Sequence, residues 1–159
     1  MSQEEAGPAP IVLEPIATVR NDIKAMGTRH WKEIVSEIVF NPGYEGAIDG
    51  LEDFSHIIVL FWMHRAAAWD SSMSKTHPQM RRDLPLVGIL ATRSPVRPNP
   101  IGVAVVKLLE RSGNILKVAG LDAIDGTPVV DIKAYFPIDE AAQARVPDWV
   151  HKLHHLDTS

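Results

Sequence analysis

The sequence contains no cysteine, and this absence removes several kinds of site at once. Disulfide bonds, zinc sites built on thiolates and a cysteine nucleophile are all excluded. Because a chain without disulfides is compatible with a reducing compartment, we expect a cytoplasmic protein. No apolar run approaches the ~18 residues that a membrane-spanning helix needs, so we expect no membrane partner. The acidic, proline-containing start of the chain also lacks the basic and apolar parts of a signal peptide.

An excess of positive charge is also missing. The chain has 16 Lys and Arg residues against 20 Asp and Glu residues, which gives a formal net charge of -4. Proteins that bind nucleic acids usually carry a basic face, because contacts with phosphates supply much of their affinity. The overall charge therefore argues against RNA as a partner, but the clustering of Arg81, Arg82, Arg93 and Arg97 leaves room for a local basic patch.

Several well-known site motifs do not occur either. There is no phosphate-binding P-loop, no GxGxxG that follows a strand, no HExxH metal motif and no GxSxG nucleophile elbow. Three histidines near the C-terminus, His151, His154 and His155, share one helical face and could bind a metal. We interpret them instead as the solvated end of a helix and predict no metal site.

The chain is rich in short apolar segments of β type, separated by turn residues. Such a pattern predicts a mainly β protein: a small antiparallel β-barrel with few short helices, distinct from the Rossmann fold. We expect a disordered tail over residues 1–10, one domain over 11–140 and a C-terminal helix and tail over 141–159, with the helix at 141–156 interrupted at Pro147. The predicted strands are 16–20, 35–40, 56–64 (buried on both faces), 86–92, 101–110, 115–122 and 129–136.

The most unusual segment is ATRSPVRPNPIG, residues 91–102. Its three prolines fix the backbone and remove amide donors, which excludes a helix or a central strand. A stiff loop of this kind holds Arg93 and Arg97 at little extra entropic cost, as an anion-binding site requires. The alternative is a structural turn whose arginines form surface salt bridges.

A second polar segment, GLDAIDGTPVVD at residues 120–131, surrounds a forced turn. Asp125 and Thr127 either build this turn with their own side chains or help to bind a polar ligand, and the spacing alone favours neither. His64 lies at the end of the apolar segment 56–64, beside the long polar segment 65–85. A histidine there is more often a hydrogen-bonded core residue, but strand ends commonly supply ligand contacts.

Three motifs occur in an order and at a spacing that resemble one family. They are GLEDFSHIIVLFWMH (50–64), GILATRSPVRPNPIGVAVVKLLE (88–110) and GLDAIDGTPVVDIKAYFP (120–137), and the opening IATVRN fits as well. The chain is similar, over residues 11–137, to the TsaA/TrmO family, also called YaeB-like. The combination of ATRSPxRPNPIG with DGTPVxDIK is highly specific.

The resemblance implies a β-barrel methyltransferase that uses S-adenosyl-L-methionine and methylates N6-threonylcarbamoyladenosine at position 37 of tRNA. It also implies a homodimer with the cofactor near the subunit boundary. Proton acceptors would be His64 or Asp125, Arg93 would meet the cofactor's carboxylate, and an aromatic ring such as Trp31 or Trp62 would face its sulfonium, although Trp62 fits a core position better. Arg97 and Asn99 would contact the acceptor, Arg97 through an RNA phosphate or a carboxylate. The cofactor contacts would be Thr28, Arg29, His30, His64, Arg65, Arg93, Val103, Asp122, Ala123, Ile124, Asp125, Gly126 and Thr127.

Two features depart from the family pattern. Longer bacterial members carry a further C-terminal domain where this chain has a short tail, and Ala134 stands where proline is common. We expect this difference to affect tRNA docking more than cofactor binding. Two other functions therefore stay open: methylation of a small-molecule or other acceptor, and a non-catalytic, cofactor-binding regulatory module.

Overall fold

The strands of this chain are short because turn residues interrupt its apolar segments every few positions. The computed structural model describes residues 7–27 and 29–154, with eight strands, one α-helix and several single turns of 3-10 helix in that part of the chain. The strands are β1 (Ala17–Arg20), β2 (Val35–Phe40), β3 (His56–Trp62), β4 (Lys75–Thr76), β5 (Val87–Gly88), β6 (Ile101–Ser112), β7 (Ile115–Ala119) and β8 (Pro128–Ala134), and the helix is α1 (Asp148–His154).

Six of these strands close into a barrel in the order β1-β2-β7-β6-β3-β8, and every neighbouring pair is antiparallel. The barrel closes because β8 pairs with β3 on one side and with β1 on the other. Register shifts at Leu60/Phe61 and at Leu108/Glu110 supply the local bending that closure needs. This architecture confirms the predicted small antiparallel β-barrel.

Alternate residues of each barrel strand point inward and form one apolar core. The predicted strand 56–64 is not buried on both faces. Ile57, Val59 and Phe61 are buried, while Ile58 and Leu60 lie half-buried on the outer surface. The continuous apolar pattern arises because the outer face of this strand is apolar too. The other fully buried core side chains are Val19, Ile38, Val106, Leu116, Val118, Leu121 and Val129.

Two further predictions differ from the structure. Of the predicted strand 86–92 only Val87–Gly88 pairs, with β4, and a single 3-10 turn (Ile89–Ala91) follows. Of the predicted helix 141–156, the described part is helical only over Asp148–His154, because residues 141–146 are exposed and no packed face stabilises them as a helix. Residues 155 and 156 of this prediction lie outside the described residues. Pro147 directly precedes the helix, and its carbonyl accepts a hydrogen bond from the Val150 amide at 3.0 Å. Across the described residues, no helix is long and apolar enough to cross a membrane.

Candidate functional site

The turn at residues 122–127 is fixed to the rim of the barrel. The Thr127 hydroxyl donates to the Ile124 carbonyl at 2.7 Å, and the amide of Gly126 donates to the Val19 carbonyl of β1 at 2.8 Å. Gly126 has a φ of 82°, a conformation that favours glycine. Ala123 and Ile124 are buried, so a ligand on this turn meets their backbone rather than their side chains.

Asn21, directly after β1, holds the same turn in place through hydrogen bonds. Its side-chain amide donates to the Ser36 hydroxyl at 2.9 Å and to the Ala123 carbonyl at 2.8 Å, and its backbone amide donates to Asp125 Oδ1 at 3.1 Å. The other oxygen of Asp125 accepts a hydrogen bond from Lys24 Nζ at 2.7 Å. These contacts, with the Lys24 side chain first, hold the pKa of Asp125 below its usual range. Asn21 was not predicted as a site residue. The only signal in the sequence is its position directly after a predicted strand.

The proline-rich loop is held by its own polar groups. The Thr92 hydroxyl donates to the Ile89 carbonyl at 2.7 Å and accepts from the Ser94 amide at 3.2 Å. The Ser94 hydroxyl accepts from the Val96 amide at 3.3 Å. Arg97 is half-buried, and its Nη1 donates to the carbonyls of Thr92 and Ser94. The loop therefore presents Arg93, which is exposed, from a backbone fastened on both sides.

Three segments predicted to form the site lie at this edge of the barrel: the end of the apolar segment 56–64, the proline-rich loop 91–102 and the turn 122–127. Arg93 lies near enough to Asp122 for its positive charge to act on the pKa of that carboxylate. The pKa of Asp122 is nevertheless raised, mainly because the surrounding protein atoms desolvate its carboxylate, an effect that the Arg93 charge only partly offsets. His64 Nε2 lies 4.0 Å from the position that a Cβ of Gly126 would occupy. The His64 imidazole and the Arg93 guanidinium thus lie near one turn, which itself carries the partly desolvated carboxylate of Asp122.

The segment before β2 adjoins the start of this turn. A Cβ at Gly120 would lie 3.7 Å from Lys32 Cα, and the Arg29 guanidinium lies 5.4 Å from the centre of the Trp31 ring. Arg29 also donates to the Ala25 carbonyl at 2.9 Å. His30, within this segment, is exposed, and so is Arg65, next to His64. Thr28 lies outside the described residues.

Val103 and Asn99 lie elsewhere, on the outer side of the barrel. Val103 points outward from β6 and is 54% exposed, with Ile101 and Val105 on the same face. Asn99 and the half-buried Trp62 belong to an open cavity of about 340 Å³ next to that face. The remaining side chains that line the cavity are Ile11, Leu13, Pro15, Ile101, Pro128 and Val130.

Comparison with known proteins identifies a family model and several relatives that are similar to this chain. The family model described as the tRNA-methyltransferase O N-terminal domain matches residues 24–140. A protein of Methanothermobacter thermautotrophicus named "Probable S-adenosyl-L-methionine-binding protein" is 46% identical over 81% of this chain and 88% of its own length. The tRNA (adenine(37)-N6)-methyltransferase of Escherichia coli is 42% identical over 60% of this chain.

A solved structure shares the fold. The crystal structure of TrmO from Pseudomonas aeruginosa superposes with a TM-score of 0.69 at 30% identity, covering 86% of this chain. This chain spans 62% of that TrmO chain and 42% of the Escherichia coli enzyme. The longer relatives thus contain a part that this chain does not match.

Proposed function

This chain belongs to the tRNA-methyltransferase O N-terminal domain family, and from that premise we propose that it binds S-adenosyl-L-methionine and methylates N6 of adenosine 37 in tRNA. The observation that carries the proposal is the meeting of Arg93, His64 and the turn 122–127 at one edge of the barrel. Two relatives with this domain bear names that state cofactor binding and the tRNA reaction.

The charges at this edge fit the proposed cofactor. Arg93 is an exposed guanidinium on a stiff loop, suited to bidentate binding of a carboxylate such as that of the methionine part. Asp122, near it, is suited to bind the ammonium or the ribose hydroxyls. The backbone amides of Ala123 and Ile124 would donate to the adenine, since the carbonyls of both residues already accept hydrogen bonds from Asn21 and Thr127. When bound, S-adenosyl-L-methionine supplies a methyl group that is already activated, so the protein mainly has to align the acceptor nitrogen.

A proton must leave the acceptor nitrogen as the methyl group arrives, and we propose that His64 receives it. His64 is exposed and lies beside Gly126, at the rim of the turn. Asp125 has both oxygens engaged by Asn21 and Lys24, and its lowered pKa makes it a weaker base. We therefore propose that Asp125 mainly holds the turn in place.

We also propose that the chain acts in the cytoplasm as a homodimer whose boundary includes the outer face of β6. Ile101, Val103 and Val105 are 38%, 54% and 53% exposed there, which is unusual for the outer side of a barrel. The family resemblance makes Val103 a cofactor contact, yet it points away from the barrel interior. A second copy packed on this face would bring Val103 toward the partner's site.

The first test is calorimetric titration with S-adenosyl-L-methionine. We expect wild type to bind, Arg93→Ala to lose at least about tenfold in affinity, since a hydrogen bond to a charged group is worth about 1.5–3 kcal/mol, and Arg82→Ala to bind like wild type. Absence of binding by folded wild type, or equal binding by the Arg93 variant, would contradict the proposed site.

The second test identifies the acceptor. Purified protein is incubated with S-adenosyl-L-methionine and tRNA that either carries or lacks threonylcarbamoyl at adenosine 37, and the nucleosides are analysed by mass. We expect methylation only of the threonylcarbamoylated tRNA, at N6. Methylation of unmodified adenosine would change the acceptor, and cofactor binding without any methylation of tRNA would favour a small acceptor or a regulatory role.

A further inference from the structure

Of the two predicted acceptor contacts, Arg97 is the one whose side chain forms hydrogen bonds within the described residues. Both bonds are made to backbone atoms of its own loop. Its Nη1 donates to the Thr92 carbonyl at 3.1 Å and to the Ser94 carbonyl at 3.3 Å. Thr92 and Ser94 are the two chain neighbours of Arg93. A single guanidinium therefore holds the backbone on both sides of the residue proposed to bind the cofactor's carboxylate.

The loop depends on this contact at its N-terminal half, whereas its C-terminal end is held separately by the Met63 amide, which donates to the Pro100 carbonyl at 2.7 Å. Pro95, Pro98 and Pro100 have no amide hydrogen, so they cannot donate to a neighbouring strand. The amides of Ser94 and Val96 donate only as far as the hydroxyls of Thr92 and Ser94, within the same loop. The prolines restrict the backbone torsions of the loop, while Arg97 ties the middle of the loop to residues 92–94.

We infer that Arg97 is a positioning residue: it fixes the backbone around Arg93 and so directs the Arg93 guanidinium toward the cofactor. This role rests on the proposed cofactor site and differs from the RNA or acceptor contact that the sequence suggested. Nη1 of the half-buried Arg97 gives its hydrogens to two carbonyls, which leaves fewer of its five donors for a phosphate contact.

The test uses Arg97→Ala, Arg97→Lys and, as a matched control, Arg82→Ala at an exposed arginine outside the loop. Three quantities are measured: affinity for S-adenosyl-L-methionine, hydrogen exchange of the Ser94 and Val96 amides, and the salt dependence of tRNA affinity. Lysine keeps the charge that a phosphate contact needs, but its chain is shorter and lacks the planar guanidinium.

If Arg97 positions Arg93, Arg97→Ala exchanges both amides at least about tenfold faster and loses at least about tenfold in cofactor affinity, as expected for two hydrogen bonds from a charged donor. Arg97→Lys shifts both quantities in the same direction. The slope of tRNA affinity against salt stays at the wild-type value for both variants, and Arg82→Ala leaves exchange and cofactor affinity unchanged.

The opposite pattern overturns the inference. Unchanged amide exchange and cofactor affinity, together with a salt slope that falls by about 0.7–0.9 for Arg97→Ala but not for Arg97→Lys, would make Arg97 a phosphate contact. Failure of wild type to bind S-adenosyl-L-methionine would defeat the proposed function separately. The exchange measurement, which needs no cofactor, still decides in that case whether Arg97 holds the loop.

Discussion

Asp122 and Asp125 stand three residues apart on one turn, yet their surroundings move their pKa values in opposite directions. The pKa of Asp122 is raised because protein atoms desolvate it, whereas the pKa of Asp125 is lowered by hydrogen bonds from Lys24 and from the Asn21 amide. A carboxylate whose ionised form is destabilised by the folded protein is typical of a ligand-binding site, whereas a carboxylate with several hydrogen bonds is typical of a structural role. The two residues therefore offer a matched pair of tests.

For Asp125 the folded-state pKa lies below the unfolded one. Its contribution to stability is therefore present above the unfolded pKa of about 4 and is lost as the pH falls through the folded value. We expect Asp125→Asn to be less stable than wild type at pH 7, and the difference between the two to shrink as the pH falls below about 4. Urea unfolding at a series of pH values measures this, and a constant difference from pH 7 to pH 3 would contradict it.

For Asp122 the sign is reversed, because the folded-state pKa lies above the unfolded one. Its ionised form destabilises the folded protein above the unfolded pKa, and this penalty disappears as the pH falls below that value. We expect Asp122→Asn to be more stable at pH 7, by at most about 0.5 kcal/mol since the side chain is partly exposed. The same variant should bind S-adenosyl-L-methionine more weakly. A variant that is less stable at pH 7 would refute this account, whatever its affinity.

At the scale of the elements, the pairing of β3 with β6 depends on one missing side chain. Gly102 lies opposite Phe61, and a Cβ at Gly102 would overlap the Phe61 ring. Phe61 is buried in the barrel core and adjoins the Trp62–His64 segment that leads to the site. The glycine thus lets a large aromatic side chain fill the barrel at the end where the site lies.

We expect Gly102→Ala to lower the free energy of unfolding by about 1–3 kcal/mol, as overpacking of a filled core does. Gly46→Ala is the control, because a Cβ there meets nothing within 4 Å, and we expect it to stay within about 0.5 kcal/mol of wild type. Denaturant unfolding of both variants measures the difference. Equal stability of the two would show that Phe61 moves aside without cost.

The elements also show what a sequence can reveal. The bounds of β2 follow from alternation and a clear stop at Asn41, whereas the segment 86–92 has strand composition but finds a partner only at Val87 and Gly88. Pairing depends on a distant segment, and composition does not encode that. The motifs predict that Arg93, His64 and the turn 122–127 form one site, and this stays a prediction. The engagement of Arg97 and the support from Asn21 were not predictable, because they depend on where the loops fold back.

At the scale of the whole molecule, the barrel has one outer face that is apolar although it is exposed. On β6 the outward residues Ile101, Val103 and Val105 are apolar and at least 38% exposed, and this apolar stretch ends at the exposed Lys107. The neighbouring strand β7 presents Lys117 outward. The apolar face continues into the cavity that contains Trp62 and Asn99, close to the segment leading to His64. A second copy of the chain is the occupant we propose, because it would bury this face and place Val103 at the site boundary.

The last prediction therefore concerns assembly. Val105→Glu adds a charge to the apolar face that Val105 forms with Ile101 and Val103, and burying a charge in an interface is strongly unfavourable. We expect this variant to sediment as a monomer where wild type sediments as a dimer, and to lose at least about tenfold in affinity for S-adenosyl-L-methionine because the partner's part of the site is gone. Lys117→Glu, on the neighbouring strand β7 and outside the apolar stretch 101–105, should keep both properties. A monomeric wild type would exclude the dimer, and a Val105→Glu dimer would move the boundary to another face. A monomeric variant with full affinity would show that one barrel alone completes the cofactor site.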